Sequence, residues 1–497
     1  MAAQTKRFVI LPTRGIVGTK NVSHETLNAL VRLNRPGRRA LAFRRIKRRR
    51  GAARAAKPVH VRVIDSIRAT GAKLVEMTDE AALALRIASP GLRIVPEVRF
   101  QLAIAPRITV AASGKAAFPK AALAGTKVQV VTDDGKALPD VTVVAFTDWA
   151  KKIGAEGMTN AKGEANLSLP ASTKKLQRVL LYAEHTGWPV IRDNVALDGK
   201  PFKVPRIALD FTDSRAKAYA PFNVADGRTV KVGILDTGAG PHAALKIAKG
   251  VSAVTEDKDT GYNDTEGHGT HVAGVIAARA AGFTGIAPSV ALNIYRVFPR
   301  SGKGASNFDI AKAIDMAIAD GCDLINMSLG GGPMDAVTDE AIKEARAKGT
   351  ICVIAAGNES GPVSNPGRHP LAICVSAMGY LGAWPAGAVQ TLDVTKPYGK
   401  GNTYFAKFSN FGLEVDLTGT GCGIISTYPN DRFAVMDGTS MACPCTTGAL
   451  ARLLAKAPKI LKAARDASRG DQIVQLALMH ARDLGFPPPK QGAGLLE

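Results

Sequence analysis

Cysteine is scarce, with six residues in 497, and long apolar runs are missing altogether. Six thiols in a chain of this length are too few for a disulfide scaffold, so they are expected to be mainly reduced. No stretch approaches the roughly 18–20 apolar residues of a membrane-spanning helix, which excludes an integral helical membrane protein. The opening MAAQTKRFVILPTRG carries Lys6 and Arg7, but its apolar run FVILP is short and cut by Pro12 and Arg14. It does not read as a signal-peptide core, and the expectation is a cytoplasmic location or export by a non-standard route. Acids are nearly absent from residues 1–57, where sixteen Lys or Arg stand against Glu25 alone, so most of the net charge of +23 sits in the first eighth of the chain. The segment RRIKRRRGAARAAK, Arg44 to Lys57, can hold nucleic-acid phosphates without reading base sequence. It has no interleaved aromatic residues for base stacking, so a solvated basic arm explains it better.

What is there fits a globular protein of two or three domains: 46% of residues are apolar and 22% charged. After the basic arm (residues 1–57), residues 58–105 read as a small α/β module. HVRVIDSI alternates apolar and polar residues, MTDEAALALRIASPG is helical with Thr78 and Asp79 at the cap, and LRIVPEVRF is strand-like. Residues 115–207 are short β runs punctuated by turn residues such as Asp134-Gly135 and Ala161-Lys162-Gly163, which predicts a β-sandwich. Residues 226–497 alternate strands and helices. Continuously apolar VGIL and ICVIAA suit strands buried on both faces, so the fold class is α/β, a mostly parallel doubly wound sheet with helices on both faces.

Three segments of this last region carry chemistry. Asp236 closes the strand KVGIL, at the carboxyl edge where such sheets place ligands. His268 lies in GHGTHVAG, between Gly267 and Gly269, at the start of an apolar helix. His271, three residues on, reads as a packing residue. Ser440 lies in GTSMACP, where alone it would be taken for a helix cap. Together they supply a nucleophile, a base to take its proton and a carboxylate to hold the base in the right tautomer. Asn358, at the end of ICVIAAGN, offers a side-chain amide to an oxyanion, with the Ser440 backbone N–H as a second donor. An intact Asp236, His268, Ser440 and Asn358 set argues against a silent scaffold.

The motifs DTG, GHGTHVAG, INMSLGG, AAGN and GTSMACP, in this order, resemble the subtilisin family of serine peptidases over roughly Val230 to Leu496. The resemblance implies a serine endopeptidase acting on proteins or peptides through an acyl-enzyme, with Asp236, His268 and Ser440 as triad. It also implies that Ser328, Leu329 and Gly330, and opposite them Gly302, Lys303 and Gly304, pair with an extended substrate. Residues 58–105 are similar to the family's inhibitory propeptides, which implies a self-processing zymogen cut near Leu102-Ala103, with the propeptide as an inhibitory partner. The predicted sandwich is similar to carboxypeptidase-regulatory or transthyretin-like modules. No cofactor is expected. The family's calcium-binding His-Pro-Asp-Leu is replaced here by Pro241-His242-Ala243-Ala244-Leu245, so Ala244 removes one carboxylate and leaves calcium there open. Cys443-Pro444-Cys445 has no second pair with zinc spacing. Both thiols are expected near the active-site helix, where thiol reagents would inhibit.

Overall fold

A computed structural model describes residues 4–12, 15–17, 61–88, 92–111, 123–183 and 185–497. The arm segment 44–57, with its nucleic-acid reading, lies outside them.

The first unit is an antiparallel sheet of β1 (Lys6–Leu11), β2 (Val61–Ser66), β3 (Lys73–Met77) and β4 (Arg93–Pro96), in the order β2-β3-β1-β4. Helix α1 (Asp79–Ala88) covers it, and Thr78 Oγ1 accepts the Ala81 N–H at its start. Ile10, Val75, Met77, Leu85 and Ile94 close a small core between them. Strand β1 corrects the expectation of a basic arm over residues 1–57. Phe8 stands opposite Val75 on one side and Pro96 on the other, so the first strand is interior to the sheet. The run FVIL has the length of a buried strand.

The chain then continues as β5 (Arg99–Leu102), which leaves this sheet and inserts between two strands of the C-terminal region. Residues 123–204 form a two-sheet unit from β6 (Leu123–Thr132), β7 (Thr142–Asp148), β8 (Ile153–Met158), β9 (Glu164–Pro170), β10 (Lys175–Tyr182), β11 (Val190–Ala196) and β12 (Phe202–Val204). One sheet runs β11-β10-β7-β8 and the other β12-β6-β9. Alternate residues such as Val130, Leu167, Val143 and Leu181 point from both into one core.

After a short helix, α2 (Ser214–Tyr219), the C-terminal region builds its main sheet on β13 (Lys231–Asp236). The other strands are β14 (Ile247–Ser252), β17 (Ala291–Arg296), β19 (Leu324–Met327), β21 (Ile351–Ala355), β22 (Ile373–Tyr380) and β24 (Leu417–Thr420). Numbered between them are the hairpin strands β15 (Arg279–Ala280) and β16 (Phe283–Thr284), the short edges β18 (Ala305–Ser306) and β20 (Leu329–Gly330), and β23 (Thr403–Phe405), which is antiparallel to β22. Seven strands of this 10-stranded sheet run in the order β14-β17-β13-β19-β21-β22-β24, every neighbouring pair among them parallel. Helices α3 (His268–Ala277) and α6 (Thr439–Ala455) pack one face against Ile234 and Val353. Helices α4 (Asn307–Ala319) and α5 (Ala336–Ala347) pack the other against Ile325 and Ile354. With both faces covered, every residue of β21 is buried, as parallel strands require.

Candidate active site

Asp236 is the last residue of β13, fully buried at the carboxyl end of the sheet. Its Oδ1 accepts the Thr237 N–H at 2.8 Å and meets His268 Nδ1 at 2.7 Å. His268 opens α3, and the chain reaches it through Gly267 at φ +96°, where a side chain would collide with the Tyr428 ring. Asp264 holds that entry: Oδ1 accepts the Gly267 N–H, and Oδ2 accepts both the N–H and the hydroxyl of Thr270. Burial opposes the charged form of His268, but the adjacent Asp236, with Asp264 and Glu266 behind it, carries its pKa above the ordinary histidine value. His271 is a packing residue: its Nε2 meets the Ile424 carbonyl at 3.0 Å, and burial drives its pKa down to about 3.

Ser440 lies in the first turn of α6. Gly438, at φ +148°, precedes it, and a Cβ there would stand 2.7 Å from the carbonyl oxygen of Ala103. The Ser440 hydroxyl donates to the Ser328 carbonyl at 3.0 Å, and His268 Nε2 has no hydrogen-bond partner among the described residues. Serine and histidine are thus not hydrogen-bonded to each other in this structure. Asn358 touches the helix start, since its Oδ1 accepts the Thr439 N–H at 2.8 Å. That bond fixes the amide orientation and leaves Nδ2 a buried donor with no partner among the described residues.

The chain's own β5 crosses this site as an extended strand. Leu102 and Gln101 pair antiparallel with Leu329 and Gly330, and Phe100 and Arg99 pair with Ala305 and Ser306. The Ala103 N–H donates to the Ser328 carbonyl at 3.2 Å, and the Ala103 carbonyl accepts the Ser440 N–H at 3.0 Å. On one side the pairing residues are those expected; on the other the ladder falls just beyond Gly302, Lys303 and Gly304. Gly302 closes a turn onto Pro299, and Gly304 contributes its carbonyl to the Arg99 guanidinium.

Sequence reasoning missed three supports. Asp264 carried an available signal, an Asp four residues before the helix, where such side chains cap free N–H groups. Thr237 Oγ1 accepts the Gly269 N–H, and the Ser328 hydroxyl donates to the Ser440 carbonyl; neither announces itself in sequence. Next to the strand end, Ala244 is buried, and among the described residues no three His, Cys, Asp or Glu side chains gather to hold a metal. Ala244 brings no carboxylate to this position. All six cysteines are free and buried, with thiol pKa values pushed up by burial, to about 12 for Cys445. Cys443 and Cys445 pack in this helix, fully buried, where burial disfavours the thiolate.

Residues 227–494, more than half the chain, match the model of the subtilase family, Peptidase_S8. The chain belongs to the subtilase family. It is similar to Subtilisin DY of Bacillus licheniformis, 36% identical over 269 residues that span 52% of this chain and 86% of that protein. It is similar also to Subtilisin Savinase of Lederbergia lenta, at 35% over 49% of this chain and 84% of the relative. An alkaline protease of Shouchella clausii matches at 35%, over 49% of this chain and 59% of the relative. This subtilase is a serine-type endopeptidase acting on protein substrates. The expected cytoplasmic location is corrected here: the matched subtilisins and alkaline proteases are secreted, extracellular enzymes, and a cytoplasmic location conflicts with them. Among the described residues no helix is long and apolar enough to cross a membrane.

Proposed function

We propose that this subtilase is made as a self-processing zymogen, with Ser440 as nucleophile, His268 as general base and then acid, Asp236 as its orienting carboxylate and Asn358 as an oxyanion donor. The observation that carries the reading is the Ala103 carbonyl on the Ser440 backbone N–H at 3.0 Å, with the Ala103 N–H on Ser328. A carbonyl held by one oxyanion donor, beside an unspent buried amide on Asn358, is poised for attack. The bond to be cut is then Ala103–Ile104, one residue beyond the expected Leu102–Ala103.

A rotation of Ser440 about χ1 takes its Oγ from Ser328 toward His268. The imidazole accepts the hydroxyl proton as Oγ bonds to the carbonyl carbon, and it returns that proton to the departing Ile104 nitrogen. Water then hydrolyses the acyl-enzyme by the same relay. The rise in the His268 pKa favours the imidazolium that forms on the way. The part released by this cut, ending at Ala103, acts as the inhibitory propeptide, with substrates entering along Ser328–Gly330 and Ala305–Ser306 once it leaves. Residues 123–204 act as a β-sandwich of the carboxypeptidase-regulatory or transthyretin-like kind. A nucleic-acid role for residues 44–57 is a separate proposal, tested by whether binding to nucleic acid falls steeply with salt and disappears on deleting that segment.

A fluorophosphonate probe tests the nucleophile. Wild-type protein is expected to be labelled and Ser440→Ala not; equal labelling of both would overturn the assignment.

A further inference from the structure

On the C-terminal side of Ala103 the chain stays bound. The Ala105 N–H donates to the Asp437 carbonyl at 2.9 Å. The Ile108 N–H donates to Tyr182 Oη at 2.9 Å, and that hydroxyl lies 3.4 Å from the Ile108 carbonyl. The Ala111 N–H donates to the Lys152 carbonyl at 3.0 Å. Val110 is buried among Val144, Phe146, Leu180, Tyr182 and Val389, with Ile108 packed against them. A cavity of about 320 Å³ runs beside the bond, walled by His268 and Glu266 on one side and by Tyr182, His185 and Pro189 of the two-sheet unit on the other.

The two-sheet unit is itself fixed to the catalytic region. Trp188, 1% exposed, packs with Ala244, Phe283 and Ile425. Val190 bridges to Ala388, the Ile191 N–H donates to the Gly387 carbonyl at 2.8 Å, and the Val389 N–H donates to the Pro189 carbonyl at 3.0 Å.

We propose that the face of the two-sheet unit around Tyr182 is a polypeptide-binding site for the C-terminal side of the cleaved bond, and that residues 104–111 remain in it after cleavage. This rests on the reading that Ala103–Ile104 is cut. When Ser440 Oγ bonds to the Ala103 carbonyl carbon, the bond to the Ile104 nitrogen breaks and His268 passes the hydroxyl proton to that nitrogen. The products are an ester on Ser440 and a free amine on Ile104. None of the hydrogen bonds named above involves the broken bond, so cleavage removes none of them. The amine stays beside the ester and can attack it, restoring the peptide bond and returning the proton through His268 to Ser440. A tethered amine competes with water far better than one that diffuses away. Self-cleavage is therefore reversible until water hydrolyses the ester or residues 104–111 lift off. In the processed enzyme the same residues block substrates that extend past the bond, and spare those that do not.

The test uses purified self-processed enzyme and two substrates sharing one N-terminal half: a nitroanilide, with nothing beyond the bond but the dye, and a quenched peptide running several residues past it. The measured quantity is the ratio of kcat/KM for the quenched peptide to that for the nitroanilide. Val110→Asp, which puts a carboxylate into the apolar contact, is expected to raise the ratio about tenfold or more. Tyr182→Phe, which removes the hydroxyl and keeps the ring, is expected to raise it about threefold. Nitroanilide turnover close to wild type shows that each variant is folded. Equal ratios in all three proteins overturn the proposal, as does a fall in the variants, which would mean that the wall serves incoming substrate. N-terminal sequencing separates the two readings: a processed chain starting at Ile104 with equal ratios sinks the retention alone, whereas a chain not cut at that bond sinks both.

Discussion

The carbonyl oxygen of Ala103 accepts a hydrogen bond from the backbone N–H of Ser440, so one of the chain's own peptide bonds lies against the proposed nucleophile. The strand on one side of that bond belongs to the N-terminal unit, and the segment on the other is held by the two-sheet unit.

Asn358 spends its Oδ1 on Thr439 and keeps Nδ2 without a partner among the described residues. Asn358→Ala is expected to lower kcat about 10²–10³-fold with little change in KM, because the donor acts on charge that develops only in the transition state; that magnitude is the one known for subtilisin itself, not one derived from this geometry. Steady-state kinetics on a nitroanilide decides it. A rise in KM at unchanged kcat would assign Asn358 to ground-state binding.

The pH profile follows from His268. Its neutral form must accept the proton, and the nearby carboxylates hold a proton on it, so the acid limb of kcat/KM is expected above the ordinary histidine value of about 6.5. Glu266→Gln removes one of those carboxylates and should move the limb to lower pH. Asp236→Asn should cost about 10⁴ in kcat through loss of the tautomer. An acid limb that stays in place in Glu266→Gln would contradict this electrostatic picture.

Phe100 is fully buried against the catalytic region, three residues before Ala103. Phe100→Ala removes that contact at a cost of up to about 3–5 kcal/mol, so the cleaved N-terminal unit should dissociate sooner and the lag before full activity should shorten. Time courses of nitroanilide hydrolysis during processing measure this.

The same interface is laced with charge. Arg7 and Arg99 both meet Glu256, Arg68 meets Asp315, Arg93 meets Glu340, and Lys312 meets Asp65. These pairs are partly exposed and individually weak, but they act together across one surface. Raising ionic strength to about 1 M cuts the screening length to about 3 Å, and the lag should shorten with salt. A lag independent of salt would show that apolar contacts such as Phe100 carry the interface alone.

Much of this was legible because the signals are local. The buried runs VGIL and ICVIAA became β13 and β21, Thr78 became the cap of α1, and Gly135 and Gly163 took the positive φ their turns require. What was not legible depends on distant partners. Lys6–Leu11 looks like the start of a basic tail until β3 and β4, more than sixty residues on, supply its neighbours. The ladder at Ala305–Ser306 lies beyond the glycines expected to form it, because Gly302 is used for a turn. Tyr182 and Trp188 belong to a unit without a catalytic motif, and nothing local says that one would meet Ile108 and the other Phe283.

The most direct measurement is the intact mass and N-terminal sequence of freshly purified wild-type protein beside Ser440→Ala. Wild type is expected to begin at Ile104, while Ser440→Ala stays at the full 52.0 kDa. Cleavage at the same bond in Ser440→Ala, or a catalytically active wild type that never loses its first 103 residues, would contradict self-processing by Ser440.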